Sequence, residues 1–176
     1  MKVPAVFATP NPKSLSKTSW WKGAHGEWYV VAQIALAGLV CFGPRMMPGW
    51  PAWTFPYTLL GSIAGVVLLL IGSLEFAAGA FRLGANLAVV PYPKEQGTLI
   101  ETGPYQLVRH PIYSGAILMA LGWAFWVHGW LTIGYAVILF AFFDLKARRE
   151  EQWLREKFSG YAAYQARVRK LIPFIY

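Results

Sequence analysis

The sequence has few charged residues and only one cysteine. Charged side chains make up 14% of the 176 residues, whereas hydrophobic side chains make up 56%. So small a charged fraction is too low for a soluble globule and predicts an integral membrane protein. A single cysteine excludes an intramolecular disulfide and a thiolate metal cluster, and the three histidines have no HExxH-like spacing. We therefore expect no zinc site or other metal site.

Long apolar runs predict an all-α protein with about four transmembrane helices. Each crossing of a bilayer core of roughly 30 Å needs about 20 mainly apolar residues. The last apolar region would be about 50 Å long as one helix, so we divide it at His128, Gly129 and Trp130, where a glycine and two interfacial residue types interrupt it. The predicted spans cover residues of about 28–43, 57–81, 112–127 and 131–145.

The positions of Lys and Arg predict the orientation of these spans. Cations precede the first span, lie between the second and third, and follow the fourth, whereas Arg45 alone lies on the other side. Since short cytoplasmic loops carry the excess of positive charge, both termini are expected in the cytoplasm. Residues 1–27 are predicted to form a cytoplasmic tail and residues 28–176 a single membrane domain. The net charge of +8 favours anionic lipid headgroups, not nucleic acid, as partners, because the cations lie beside the spans.

The second span contains two features that call for an interpretation. Gly61 and Gly65 form a GxxxG pair, which would let another helix approach closely. Glu75 lies toward the cytoplasmic end, and an ionisable residue inside a span is a functional candidate by default. It can equally reach toward Arg82 in a structural role, which we favour.

The stretch "GPYQLVRHPIYSG", residues 103–115, places Arg109, His110 and Pro111 directly before the third span. Proline suits the first turn of a helix, because its missing N–H would be unpaired there anyway. The stretch therefore predicts a helix start. On this pattern alone, the arginine and the histidine are either interfacial anchors or members of a site.

A second polar segment, "DLKARREEQWLREKFSGYAAYQARVRKLIPFIY", follows the fourth span. Lys146 and Glu150 are four residues apart and would share a helix face, with Glu151 beside them. Residues 146–172 are predicted to be helical and to form an amphipathic interfacial helix that Gly160 can split. Alone, the segment would be a lipid-binding tail whose glutamates balance neighbouring arginines. Its apolar positions at helical spacing are Leu154, Phe158, Tyr161, Val168 and Ile172.

The two segments are expected on the same side of the bilayer, where they can converge. Together, "GTLIETGPYQLVRHPIYSG" and "EEQWLREKFSGYAAYQARVRKLIPFIY" resemble the integral membrane methyltransferases that include isoprenylcysteine carboxyl methyltransferases and phospholipid N-methyltransferases. The resemblance covers residues 82–176. It implies that S-adenosylmethionine binds at the cytoplasmic face and that a lipophilic methyl acceptor arrives from the membrane.

The resemblance also implies which residues form the site. Glu150 and Lys146 would lie toward the acceptor, with Arg149 as an alternative cation, and Glu151 is a further candidate for the amino group or ribose hydroxyls of the cofactor. The residues that would line the cofactor site are Thr98, Leu99, Ile100, Tyr105, His110, Pro111, Ile112, Tyr113 and Ser114.

One departure from the family pattern leaves the acceptor open. Eukaryotic carboxyl methyltransferases carry arginine where Lys146 stands, and lysine cannot form arginine's planar two-pronged bond to a carboxylate. The carboxylate of an isoprenylcysteine-like compound is the expected acceptor, and the amine of phosphatidylethanolamine is the alternative. A non-catalytic membrane adaptor that binds anionic lipid is the hypothesis from another class.

Overall fold

The computed structural model describes residues 26–88, 90, 92–94 and 96–176. Within them the protein is all-helical, as the sequence predicts, with one isolated parallel bridge between Val108 and Arg169. Most of the predicted tail lies outside the described residues, which begin at Gly26. The helices are α1 (Glu27–Phe42), α2 (Tyr57–Leu83), α3 (Pro111–Trp126), α4 (Trp130–Lys157) and α5 (Tyr161–Arg167), and short 3-10 turns cover Gly84–Asn86 and Gly103–Gln106.

Two predicted helix boundaries are confirmed. Helix α3 begins at Pro111, directly after His110, so the residue without an N–H occupies the first turn. Helix α3 then ends at Trp126 and α4 begins at Trp130, which is the predicted break. In this turn His128 has a φ of 53°, and its Nε2 lies 2.9 Å from the carbonyl oxygen of Thr58. That contact anchors the turn between α3 and α4 to the start of α2.

Helices α1 to α4 pack antiparallel, so the bundle has two distinct ends. The backbone N–H of Leu131, at the start of α4, donates to the carbonyl of Arg45, just after α1. At the other end, Lys146 of α4 bonds Gln33 in the first half of α1. We call this second end, where α3 begins, the charged end. Both polar segments singled out in the sequence therefore lie at one end of the bundle.

Close packing between α2 and α3 depends on glycines. A Cβ atom added to Gly72 would lie 2.7 Å from the carbonyl oxygen of Gly115, and one added to Gly65 would lie 2.8 Å from that of Gly122. No real Cβ atom approaches backbone so closely, so these positions require glycine. Within the predicted GxxxG pair, Gly65 meets the neighbouring helix, whereas Gly61 packs against the Trp53 ring.

The outer surface of the helices is apolar. Ile34 is 67% exposed and Leu74 is 71% exposed, and many other large apolar side chains share this exposure. Contiguous apolar surface of this kind is rare on soluble monomers and suits contact with lipid tails. By length and composition, α2 with its following turn and α4 can cross a membrane, whereas α1 and α3 are shorter apolar helices.

The segment 146–172, predicted to be an interfacial helix that Gly160 can split, is helical only in part. Helix α4 continues to Lys157 and is interrupted before Tyr161, as Gly160 predicted. The helix that follows, α5, has only seven residues. Helix α4 would be about 42 Å long, so a bilayer core of roughly 30 Å that it crosses would end before its last charged turns. The following residues return to the start of α3, where the N–H of Arg109 donates to the carbonyl of Arg169 over 2.8 Å.

We expect Gly115→Leu to destabilise the protein because it forces α2 and α3 apart. Overpacking of a close contact typically costs about 1 to 3 kcal/mol. The matched control is Gly134→Leu on α4, where an added Cβ meets nothing within 4 Å. Thermal unfolding in detergent should show a lower midpoint for the first variant and a nearly unchanged midpoint for the second. Equal midpoints for both variants would contradict the proposed role of the glycine contact.

Candidate active site

A cavity of about 310 Å³ lies at the charged end of the bundle. Side chains from α1, α2, α3, α4, α5 and the loop before α3 contribute to its wall. Its volume is at the lower end of the range of about 300 to 1,000 Å³ that is usual for small-molecule sites. The cavity is therefore the candidate small-molecule site of the protein.

Most residues that the sequence assigned to the site line this cavity. Glu150 and Lys146 of α4 face the cavity, together with residues of α3 and of the loop that precedes α3. The remaining predicted residues in the wall are Thr98, Leu99, Ile100, Tyr105, His110, Ile112 and Tyr113.

Pro111 and Ser114 are buried on the side of α3 that faces α2, and neither is among the lining residues. A Cβ atom at Gly79 would lie 3.1 Å from the Pro111 ring. The hydroxyl of Ser114 donates to Glu75 over 3.1 Å, while Arg82 donates to Thr102 over 2.8 Å. Glu75 therefore links α2 to α3, which is a structural role as favoured from the sequence, but its partner is Ser114 and not the expected Arg82.

Arg149 also lies outside the cavity wall. Its guanidinium packs 4.6 Å from the centre of the Trp153 ring and donates to Gln152 over 2.9 Å. A helix turns by about 100° per residue, so neighbours of Glu150 point in different directions. Of the two candidate cations, Lys146 therefore lines the cavity and Arg149 does not.

The two polar segments meet through Glu150. The hydroxyl of Tyr113 donates to a Glu150 oxygen over 2.7 Å, although the two residues are 37 positions apart. The ring of His110 stacks on Tyr113 with an interplanar angle of 3°, and its Nδ1 lies 3.8 Å from the same oxygen of Glu150. The convergence of these residues at one face, expected from the sequence, is confirmed.

Glu151 lies behind the wall, in a buried ionic network. Only 4% of the residue is exposed, and Arg109 Nε donates to its Oε1 over 2.8 Å. His110 Nε2 lies 3.1 Å from the same oxygen and must donate to it, because a carboxylate can only accept. Gln165 of α5 donates to the other oxygen over 2.8 Å. Glu151 therefore supports the cavity and orients His110, but it does not line the cavity.

The pKa of Glu151 reflects this network. Burial alone would raise the pKa, but the hydrogen bonds and charges of His110 and Arg109 lower it from 4.5 to about 2. The carboxylate is therefore ionised throughout the physiological pH range. Arg109 also donates to the carbonyl oxygens of Gln165 and Val168, so the same cation holds the end of α5 against the start of α3.

Gln33 is a site residue that the sequence analysis missed. Lys146, only 2% exposed, donates to its side-chain oxygen over 2.6 Å, and both residues line the cavity. The Lys146 ammonium also lies 5.0 Å from the centre of the Tyr113 ring. The available signal was that Gln33 is the only strongly polar side chain in the apolar run from Trp28 to Phe42.

Two tyrosines of α5 complete the wall. The hydroxyl of Tyr164 donates to the carbonyl oxygen of Tyr105 over 2.7 Å. The buried hydroxyl of Tyr161 has no hydrogen-bond partner among the described residues. Burial raises the pKa of both side chains, so both keep their protons and act as donors. Tyr161, Leu154 and Phe158, which were predicted as apolar positions of an interfacial helix, line the cavity.

Comparison with known proteins identifies the family. Residues 60–160 match the family model described as phospholipid methyltransferase. The chain belongs to this family. The match includes most of α2, all of α3 and α4, the whole first polar segment and the first half of the second, whereas α1 and α5 lie outside it.

Three curated relatives show how this phospholipid methyltransferase family member compares with individual proteins. A probable protein-S-isoprenylcysteine O-methyltransferase from Oryza sativa subsp. indica is 31% identical over 118 residues, which cover 65% of this chain and 62% of the relative. The Homo sapiens protein-S-isoprenylcysteine O-methyltransferase is 30% identical over 97% of this chain and 59% of its own length. The cobalt-zinc-cadmium resistance protein CzcN of Cupriavidus metallidurans is 29% identical over 84% of this chain and 62% of its own.

The chain thus spans about three fifths of the length of these relatives. Despite the similarity to a metal-resistance protein, no group of three or more His, Cys, Asp or Glu side chains is arranged to hold a metal ion in the part of the chain that the structure describes.

We expect Glu151→Gln to destabilise the protein at neutral pH and to flatten its response to acid. A carboxyl whose folded pKa is about 2 and whose ordinary value is 4.5 stabilises the fold fully above about pH 4.5. This contribution, on the order of 3 kcal/mol, is lost as the pH falls toward about 2. Thermal unfolding across this pH range measures both effects, with Glu156→Gln, an exposed carboxylate of α4, as the control. A wild-type midpoint for Glu151→Gln at neutral pH would refute the stabilising role assigned to the Glu151 carboxylate.

Proposed function

We propose that the protein is an integral membrane methyltransferase that uses S-adenosylmethionine to methylate the carboxylate of a lipophilic, isoprenylcysteine-like acceptor. The observation that carries this proposal is the convergence of His110, Tyr113, Lys146 and Glu150 around one cavity. Their contacts join two segments that are distant in sequence, and membership of the phospholipid methyltransferase family supports the same chemistry.

In this proposal, α1 to α4 cross the bilayer and the charged end faces the cytoplasm. The exposed apolar side chains of the helices would contact lipid tails. The excess of Lys and Arg at the charged end agrees with the cytoplasmic assignment, because cytoplasmic flanks of membrane helices are enriched in these residues. Basic residues beyond α4 would also contact anionic headgroups.

The wall has the groups that the proposed cofactor requires. When bound, S-adenosylmethionine supplies an electrophilic methyl group attached to a cationic sulfur. The carboxylate of Glu150 can accept hydrogen bonds from its amino group or ribose hydroxyls, and the Tyr105 and Tyr113 rings can attract a cation. The hydroxyl of Tyr161, buried without a partner among the described residues, is a further group in this wall that a ligand can satisfy.

The acceptor would occupy the membrane-facing part of the cavity. Phe76, Ala116 and Phe143 line this part of the cavity. They lie about one helical turn or more farther from the charged end than Tyr113 and His110, which contact Glu150. A carboxylate acceptor is already ionised at neutral pH and needs no general base. Lys146 would orient it by charge and hydrogen bonding, and the surrounding apolar side chains would exclude water.

An amine acceptor such as phosphatidylethanolamine is the second candidate. Glu150 is placed to accept the proton that an ammonium must lose before it can attack a methyl group. The adjacent Lys146, however, would repel a cationic headgroup, and like charges brought together in a buried site are strongly disfavoured. The position of Lys146 therefore favours the carboxylate.

The cofactor assignment predicts that the purified protein binds S-adenosylmethionine and that His110→Ala and Glu150→Gln each weaken this binding by about tenfold or more. Loss of a hydrogen bond to a charged group typically costs about 1.5 to 3 kcal/mol. Isothermal titration calorimetry in detergent measures the affinity, and Glu156→Gln serves as the control. Wild-type affinity in both site variants would reject the site.

The acceptor assignment predicts transfer of labelled methyl to a prenylcysteine analogue, giving a base-labile ester. Lys146→Gln is expected to lower kcat/KM for this acceptor by about 100-fold, because a desolvated charge pair is lost. Arg149→Gln should stay close to wild type, since Arg149 contacts Trp153 outside the cavity. Base-stable label on phosphatidylethanolamine, with no ester formed, would instead support N-methylation.

A further inference from the structure

The hydrogen bond from Lys146 determines the orientation of the Gln33 side-chain amide. An ammonium group can only donate hydrogen bonds, so the oxygen of Gln33 must face Lys146, as the 2.6 Å contact shows. The NH2 group of the same amide is then directed away from the ammonium. Among the described residues, no hydrogen-bond acceptor pairs with this NH2 group, and Gln33 lies in the cavity wall.

Lys146 alone is a poor replacement for arginine as a carboxylate receptor. A guanidinium presents two parallel N–H donors that match the two oxygens of a carboxylate, whereas an ammonium acts as a point charge. The Gln33 amide, whose oxygen accepts from Lys146, offers a second donor beside the ammonium. A lysine ammonium and a primary amide together can supply the two prongs that arginine supplies by itself.

We propose that Gln33 and Lys146 bind the acceptor carboxylate jointly, with the Lys146 ammonium donating to one oxygen and the Gln33 amide donating to the other. This inference rests on the proposed function, because it identifies the receptor for the acceptor in that same site. Gln33 belongs to α1, outside the residues 60–160 that match the family model. Recognition of the acceptor would then depend partly on a helix that the family match does not include.

A purely structural role for Gln33 gives different expectations. If the Gln33 amide served only to satisfy the buried ammonium, Lys146→Arg would not repair the KM of the Gln33→Leu variant. If the amide is the second prong, Gln33→Leu removes one donor to the acceptor, and Lys146→Arg in the same chain restores it. The double variant therefore separates the two roles.

The experiment measures KM and kcat for N-acetylated S-farnesylcysteine in four proteins, together with their affinity for S-adenosylmethionine. For Gln33→Leu we expect KM to rise about tenfold, as for loss of one hydrogen bond to a charged group, with cofactor affinity unchanged. For Gln33→Leu combined with Lys146→Arg, we expect KM to return to within about threefold of wild type. The matched control is Gln152→Leu, because Gln152 bonds Arg149 outside the cavity.

A second substitution at position 33 tests whether the acceptor group bound there is an anion. Gln33→Glu would pair with Lys146 and present a carboxylate to the acceptor, so KM should rise by about 100-fold or more. Unchanged cofactor affinity in each variant verifies that the fold is intact. Two results would overturn this inference: a wild-type KM for Gln33→Leu, or a double variant in which Lys146→Arg does not restore KM. Either result would leave the proposed function in place. A wild-type protein that methylates only an amine would overturn both.

Discussion

The buried carboxylate of Glu151 is the interaction on which the rest of the site depends. It accepts hydrogen bonds from Arg109, His110 and Gln165, which come from the start of α3 and from α5. Removing one member of such a group leaves an uncompensated buried charge, which is far more costly than an exposed unpaired charge. Because the same network joins α4 to both neighbouring segments, it determines where Glu150, the adjacent residue, meets Tyr113.

Glycine contacts between α2 and α3 complement this network within the bundle. Gly65 and Gly72 on one helix and Gly115 and Gly122 on the other bring the two backbones together along most of their length. Helix α4 contacts α3 mainly through larger side chains, such as Phe143 against Tyr113. The bundle is therefore most tightly packed between α2 and α3, and the cavity lies at its charged end.

The sequence predicted the features that have a local cause. Proline at 111, the break at His128 and Gly129, and the meeting of the two polar segments all follow from local preferences or from topology. Helical periodicity identifies an apolar face but not what covers it, and Tyr161, an apolar position of the predicted interfacial helix, lines the cavity. The family resemblance assigned Ser114 to the site, and its hydroxyl bonds Glu75 of α2. The contact between Gln33 and Lys146 joins residues 113 positions apart, which no local pattern encodes.

In the proposed function, the burial of Lys146 would determine which acceptor the site binds. A cation held among Tyr113, Phe143 and Gln33 is poorly solvated, so its interaction with an incoming anion is stronger than it would be at an exposed surface. For the same reason it repels a cationic headgroup strongly. The cost of burying Lys146 is offset by Gln33 and by the charge of Glu150, which lies four residues later on the same helix face. In the proposed function, selectivity for an anionic acceptor would thus follow from where α1 and α4 hold one ammonium group, with no change in the residues proposed to contact the cofactor.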